Sequence, residues 1–308
     1  MATVISTVNM KGGVGKTTLT VNLATALAWH YGKRVLVVDL DSQVSATLSL
    51  MPPQEFAQVR KARRTLSYLI DRLVQPHIQR KYWTPDLVCS QMGQVSGLEL
   101  LPGDLELYDE YRVAQTLHKR AVEQSSQSFH QVWMAFERTL VRTLLEPVLA
   151  DYDYIFLDCA PGYNLLTRSG IAASHYYLLP ARPEPLSLVG IQLLEKRIAK
   201  LKQSPTAADE DLAAIALLGI AFIHSSSNIF SRYYKQVMQR IEQDFAAEQI
   251  FATGIPMDVN VAKAVDRFTP AVLAAPNSPG AKAFAKFADE FVGKLQARAA
   301  APGSVAAG

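Results

Sequence analysis

The sequence predicts a doubly wound α/β protein, with a mostly parallel sheet flanked by helices. Three observations carry this expectation. Short runs rich in β-branched and apolar residues alternate with apolar patterns of helical period, as a parallel sheet covered on both faces requires. A glycine-rich run, Lys11 to Thr18, joins the first of these strands to the first helix. Two later strands end in acids, Asp39 and Asp158, and the carboxyl edge of an open α/β sheet is where ligands bind.

The elements follow in order. Thr3–Val8 reads as the first strand. A helix runs from Lys16 to about His30 on Leu19, Leu23, Ala26 and Leu27, and Gly32 closes it as a C-cap. Arg34–Asp39 is the second strand. Tyr154–Asp158, Tyr176–Pro180 and Ile215–Ile223 are further strands, with a last short one at Ile250–Ile255. Residues 52–150 read differently, as a helical elaboration within the domain. Pro52-Pro53 opens it. Helical patterns follow at Leu66, Leu69, Ile70 and Leu73, then at Val132, Phe136, Leu140, Leu144, Leu145 and Leu149. Gly97–Asp104 between them has the pattern of a strand ending in a turn, and 105–130 that of a polar helix leading into a loop. Residues 1–298 read as a single domain and 299–308, small and containing Pro and Gly, as a disordered tail.

Composition narrows the class. The chain has 308 residues, 49% of them hydrophobic, enough for a large core. A net charge of +3 permits nucleic-acid contact without demanding it. Cys89 and Cys159 are the two cysteines and no C-x-x-C occurs, which argues against a disulfide framework and for a reducing compartment. Met1 leads directly into a strand, so no secretory leader is expected. No run of 18 residues is apolar and uncharged, so no membrane span is expected.

The glycine-rich run carries the chemistry. Gly12, Gly13, Val14 and Gly15 expose backbone N–H groups at a helix N-terminus, a cradle for phosphates. Lys16 supplies a point charge for β and γ phosphates, Thr17 a hydroxyl for Mg²⁺, and Thr18 extends the cradle. The strict P-loop pattern wants glycine where Met10 stands, and a dinucleotide pattern fails at Thr18. Strand alternation puts Asp39 and Asp41 on one side. Two carboxylates there need a cation, which Mg²⁺ and Lys16 provide. Asp158 at the tip of the apolar run from Asp153 is a Walker B acid, a water-mediated Mg²⁺ partner. Cys159 reads as a small buried residue rather than a ligand.

Lys11 through Thr18, with its second lysine at the start, resembles the deviant P-loop of the ParA/MinD family of ATPases. Asp39-Leu40-Asp41-Ser42-Gln43 is similar to that family's Asp-x-Asp-Pro-Gln, with Ser42 for proline. Asp158-Cys159-Ala160-Pro161 is similar to Asp-x-Pro-Pro, with Ala160 for proline. Leu178–Gly190 and Gly254–Met257 resemble later family segments; residues 52–150 carry the least resemblance. The resemblance implies ATP and Mg²⁺ as cofactors and an ATPase that is weak without a partner. It implies that Asp41 orients or activates the attacking water, and that Asp39 lies nearer the metal than Asp41, with Thr17 and Asp158. It further implies that Gly162–Thr167 form a switch loop sensing the γ-phosphate, and that Pro256 and Met257 cover the adenine beside Phe222–Ser225. Lys11 would cross a dimer interface to the partner subunit's nucleotide.

The resemblance also implies a function. The family's short branch lacks an N-terminal helix-turn-helix, and the phosphate loop here begins at residue 11. Such a protein dimerises on ATP, binds DNA non-specifically and positions or segregates a cargo. A cargo-bound adaptor protein stimulates its hydrolysis. The expected location is cytoplasmic, on the nucleoid. Candidate DNA contacts are Arg232, Lys235, Arg240, Lys263, Arg267, Lys282 and Lys286. The alternative is a membrane switch of the MinD type, which needs a basic amphipathic C-terminal helix. Residues 281–296 carry a stripe of Phe284, Phe287, Phe291 and Leu295, but Asp289 and Glu290 dilute the basic face. The stripe therefore reads as a helix packed on the sheet, and membrane contact is not expected.

Overall fold

A computed structural model describes residues 1–75, 81–123, 127–203, 215–224 and 232–300. Seven strands among them form one sheet: β1 (Thr3–Thr7), β2 (Val35–Leu40), β3 (Leu98–Leu101), β4 (Tyr154–Cys159), β5 (Tyr176–Ala181), β6 (Ala216–His224) and β7 (Ile255–Pro256). Their order is β3-β2-β4-β1-β5-β6-β7, and every pairing is parallel. All strands therefore present their carboxyl ends at one edge.

The helices are α1 (Lys16–Tyr31), α2 (Ser45–Leu50), α3 (Pro53–Lys61), α4 (Leu66–Val74), α5 (Thr84–Leu87), α6 (Glu110–Glu123), α7 (Phe129–Leu145), α8 (Leu165–Ala172), α9 (Pro185–Lys202), α10 (Arg232–Asp244), α11 (Val259–Val265), α12 (Ala271–Ala274) and α13 (Pro279–Ala300). Alternation along the strands splits the core into two halves. Leu36, Val38 and Leu40 face a cluster that takes in α7, α8, α9 and α10. Val35 and Val37 face a second cluster built on α1 and α13. The central strands are buried on both faces, which is why they read as unbroken apolar runs.

The C-terminal stripe belongs to this second core. Phe284, Phe287 and Phe291 are fully buried, Phe287 stacks on Phe251, and Phe291 meets Tyr154 edge-on. Burying each is worth about 2–3 kcal/mol, so freeing the stripe for a lipid surface would dismantle half the core. No helix among the described residues is long and apolar enough to cross a membrane.

Several boundaries differ from the sequence reading. The strand expected over Ile250–Ile255 is only Ile255–Pro256, with Ile250 making a single bridge to Ile220. The Glu290 carboxylate accepts from the backbone N–H groups of Ala252 and Thr253 and draws that stretch off the ladder. The helix carrying Leu140 stops at Leu145, ahead of Pro147, since proline has no N–H to continue the helical ladder. The expected tail begins inside α13, which continues to Ala300; residues 301–308 lie outside the described residues. The strand expected within 52–150 is present as β3, which extends the main sheet beside β2.

Candidate active site

The site grows from the β1–α1 junction. Gly15 sits at φ 87°, and a Cβ there would lie 2.3 Å from Ile223 Cδ1, so only glycine lets the loop pass under β6. At the start of the loop, Asn9 Nδ2 donates to Pro180 O at 2.8 Å, while its Oδ1 accepts from Lys11 N. The loop is thus pinned to β5 at one end and continues into α1 at the other. At the far end of α1, Gly32 returns its N–H to Leu27 O and stops the helix, as its sequence position implied.

Lys16 is buried. Its Nζ donates to Lys11 O at 3.3 Å. Burial lowers the pKa of its ammonium although Asp158, Cys159 and Asp41 act to raise it. Thr17 Oγ1 donates to Asp158 Oδ2 at 2.7 Å, and Thr20 Oγ1 to Asp158 Oδ1 at 3.2 Å. Register pairs Asp158 with Asp39 on the adjacent strands β4 and β2. Both are fully buried. Burial pushes both carboxyls above their ordinary range. The neighbouring Asp39 charge adds to the rise at Asp158, and Asp41 to that at Asp39.

Asp39 and Asp41 do not share one strand side as expected. β2 ends at Leu40, and Asp41 N folds back to donate to Asp39 Oδ1. Asp39 Oδ2 accepts from Thr47 N and Thr47 Oγ1 at 2.8 and 2.7 Å. Its oxygens are therefore engaged inside the fold, whereas Asp41 lines the cavity above. That cavity, of about 670 Å³, is lined by Gly12 to Thr18, Asp41, Pro161, Arg182, Ile223, Ile255, Pro256 and Met257, with α11 residues behind them. Its size suits a nucleotide-sized ligand. Pro256 and Met257 form part of its wall, with Met257 held by a bond from its N–H to His224 O. Ser225 lies outside the described residues.

The expected switch loop is shorter than read. Asn164 caps α8 by accepting from Thr167 N at 2.8 Å, so Leu165–Thr167 belong to a helix. Cys159 is buried, as expected. Lys11 extends from the loop to Glu184 Oε2 at 3.0 Å, with both side chains half exposed. Sequence reasoning missed Thr20, Thr47, Arg182 and Glu184. Thr20 could have been found, since it stands three residues after Thr17 on the same helix face; the others come from distant segments.

Among the described candidates for DNA contact, Arg240 and the α13 lysines stand on helices that pack on opposite sides of the sheet. Arg240 is exposed on α10, whose Val237 and Ile241 pack into one core cluster. Lys282 and Lys286 are exposed on α13, which packs into the cluster across the sheet, and Lys263 and Arg267 are exposed on and just past α11. The side chains of Arg232 and Lys235 lie outside the described residues.

A two-carboxylate floor, a lysine and a threonine beneath a glycine loop fit a magnesium nucleotide. Thr17 and Asp158 offer hard oxygen donors, and the raised carboxyls mark a place where a cation relieves repulsion. The family model described as AAA domain matches residues 2–213. An uncharacterised protein of Mycobacterium tuberculosis is 30% identical over 96% of this chain and 80% of its own length. The sporulation initiation inhibitor protein Soj of Bacillus subtilis is 27% identical over 94% of this chain and 98% of its own. The septum site-determining protein MinD of Pyrococcus horikoshii, solved with Mg-ADP, shares the fold with a TM-score of 0.63 at 24% identity, covering 96% of this chain and 98% of its own. The phosphate loop, the paired strand-tip acids and these likenesses agree: the chain belongs to the ParA/MinD family of P-loop ATPases.

Proposed function

We propose that this protein is an ATP-driven positioning switch of the ParA type. It takes Mg-ATP, dimerises in that state and binds DNA non-specifically. Hydrolysis, slow in the free protein and stimulated by an adaptor on the cargo, releases it. The observation that carries the reading is the buried Asp39–Asp158 pair behind Lys16 and Thr17, which line one cavity with Asp41 and Met257.

The chain's own residues divide the work. Backbone N–H groups of Gly12 to Thr18 and the Lys16 ammonium hold the phosphates. Thr17 and Asp158 would hold Mg²⁺, which would offset charge on the phosphate oxygens. Asp41 is free to face the cavity because Asp39, not Asp41, carries the bonds to Thr47; it orients the attacking water. Ile223, Pro256 and Met257 keep water from the base side.

Lys11 is the residue offered to a second subunit. Beside it, Leu186, Val189 and Leu193 expose an apolar stripe on α9, Leu186 being 73% exposed. In one subunit Lys11 is held by Glu184; in the dimer it reaches the partner's nucleotide and neutralises the transferred phosphoryl group, as an arginine finger does.

Co-sedimentation tests the whole reading. DNA should pellet the protein with ATP and much less with ADP or no nucleotide, and the binding should fall steeply as salt rises. Lys11→Ala should lose the ATP-dependent part. Binding that ignores nucleotide, or ATP-dependent pelleting with anionic liposomes instead of DNA, would defeat it.

A further inference from the structure

We propose that Arg182 is a nucleotide-positioning residue that holds the ribose and α-phosphate side of the ligand. The inference rests on the reading of this cavity as an ATP site, and adds a contact that the phosphate-loop motif does not contain.

Arg182 follows the last residue of β5. Lys16 and Arg182 are the two cations among the residues lining the cavity. The Arg182 Nε is buried and has no hydrogen-bond partner among the described residues. A guanidinium N–H shut away from water without an acceptor costs free energy, so the position makes sense once an acceptor enters the cavity. The segment around it is anchored on both sides. Pro180 O accepts from Asn9, and Glu184 pairs with Lys11. The guanidinium is therefore carried on a short span tied twice to the phosphate loop.

The strand order says which part of the ligand it meets. Asp158 on β4 and Asp41 after β2 lie on one side of β1 and its loop. Ile223 of β6 and Ile255 to Met257 at β7 lie on the other. A nucleotide threaded across the edge runs from its base over β6 and β7 to its last phosphate over β4 and β2. β5 stands between β1 and β6. The acceptors passing there are those between base and β-phosphate, which ATP and ADP share. A contact made equally before and during reaction adds affinity without raising turnover.

The experiment compares wild type, Arg182→Gln and Arg182→Lys by calorimetric titration with ATP and ADP, and by steady-state hydrolysis. The expected result for Arg182→Gln is a Kd raised about tenfold or more for ATP and ADP alike. KM should rise with it while kcat at saturation stays within about twofold, and the melting temperature of the nucleotide-free protein should hold. Arg182→Lys should fall between. Unchanged Kd values in Arg182→Gln overturn the proposal and leave the ATP site standing. A loss confined to ATP, or to kcat, also overturns it, because it places the group at the γ-phosphate or in the partner's site. Failure of the wild type to bind either nucleotide overturns both readings.

Discussion

Asp39 and Asp158 face one another across the β2–β4 register, while Asp104, three residues past β3, meets Arg60, Thr65 and Ser67. All three carboxylates are buried, yet their surroundings act in opposite directions. Burial and like charge hold the first two above the ordinary carboxylate range. Burial pushes Asp104 up as well, but hydrogen bonds from Thr65, Glu106 N and Arg60, with the charge of Arg60, outweigh it and hold that carboxyl low. One region sets two buried acids against each other; the other uses an acid to fasten the 52–150 segment to the sheet. The two are joined, because Thr47 Oγ1, which donates to Asp39, accepts from Gly103 N next to Asp104. Function and stability are thus assigned to neighbouring carboxylates by their partners, not by their burial.

Asp158→Asn breaks the comparison most sharply. Metal-dependent hydrolysis should fall about 10–100-fold. The nucleotide-free protein should melt higher, by roughly 2–4 °C, since a like charge is gone; a lower melting temperature would mean that Asp158 stabilises the empty fold. Asp104→Ala should do the reverse. It leaves Arg60, Thr65 and the Glu106 N–H without their acceptor and should cost about 2–4 kcal/mol in urea unfolding. ATP affinity should change little, and an equal loss of affinity would merge the two regions into one.

The pH dependence of the nucleotide-free protein gives the smallest effect. Asp39 and Asp158 are raised to about 6 and about 7. The stability gained by keeping them protonated is complete below about pH 4 and is lost as pH rises through 6 to 7. Asp104 works oppositely: its contribution is present above about pH 4 and is lost on acidification. Urea midpoints should therefore decline on both sides of an optimum near pH 4, and Mg-ATP should lift the neutral limb most. A flat neutral limb would contradict the unrelieved pair.

How much of this was legible in the sequence follows the same division. Residues 11–18 are contiguous, so their chemistry can be read without a fold, and Asp41 and Asp158 are marked by the apolar runs before them. The stripe at Phe284, Phe287 and Phe291 was legible as core because its period is helical and its flanks carry acids. Thr47, Gly103 and Arg182 were not legible. Each reaches the site through strand order or a turn, and nothing local to Thr47 announces a bond to a carboxylate eight residues earlier. The Ile250–Ile255 stretch has the composition of a strand and loses its ladder to Glu290, a competitor far along the chain.

The central claim is that ATP joins two copies of this chain through Lys11. Sedimentation equilibrium of Asp41→Ala with Mg-ATP, and again with Lys11→Ala added, tests it most directly. The single variant should bind ATP, hydrolyse it slowly and sediment at twice the 33.9 kDa of the chain, and the double variant at the monomer mass. An ATP-loaded Asp41→Ala protein that stays monomeric, or a double variant that still dimerises, would contradict the account.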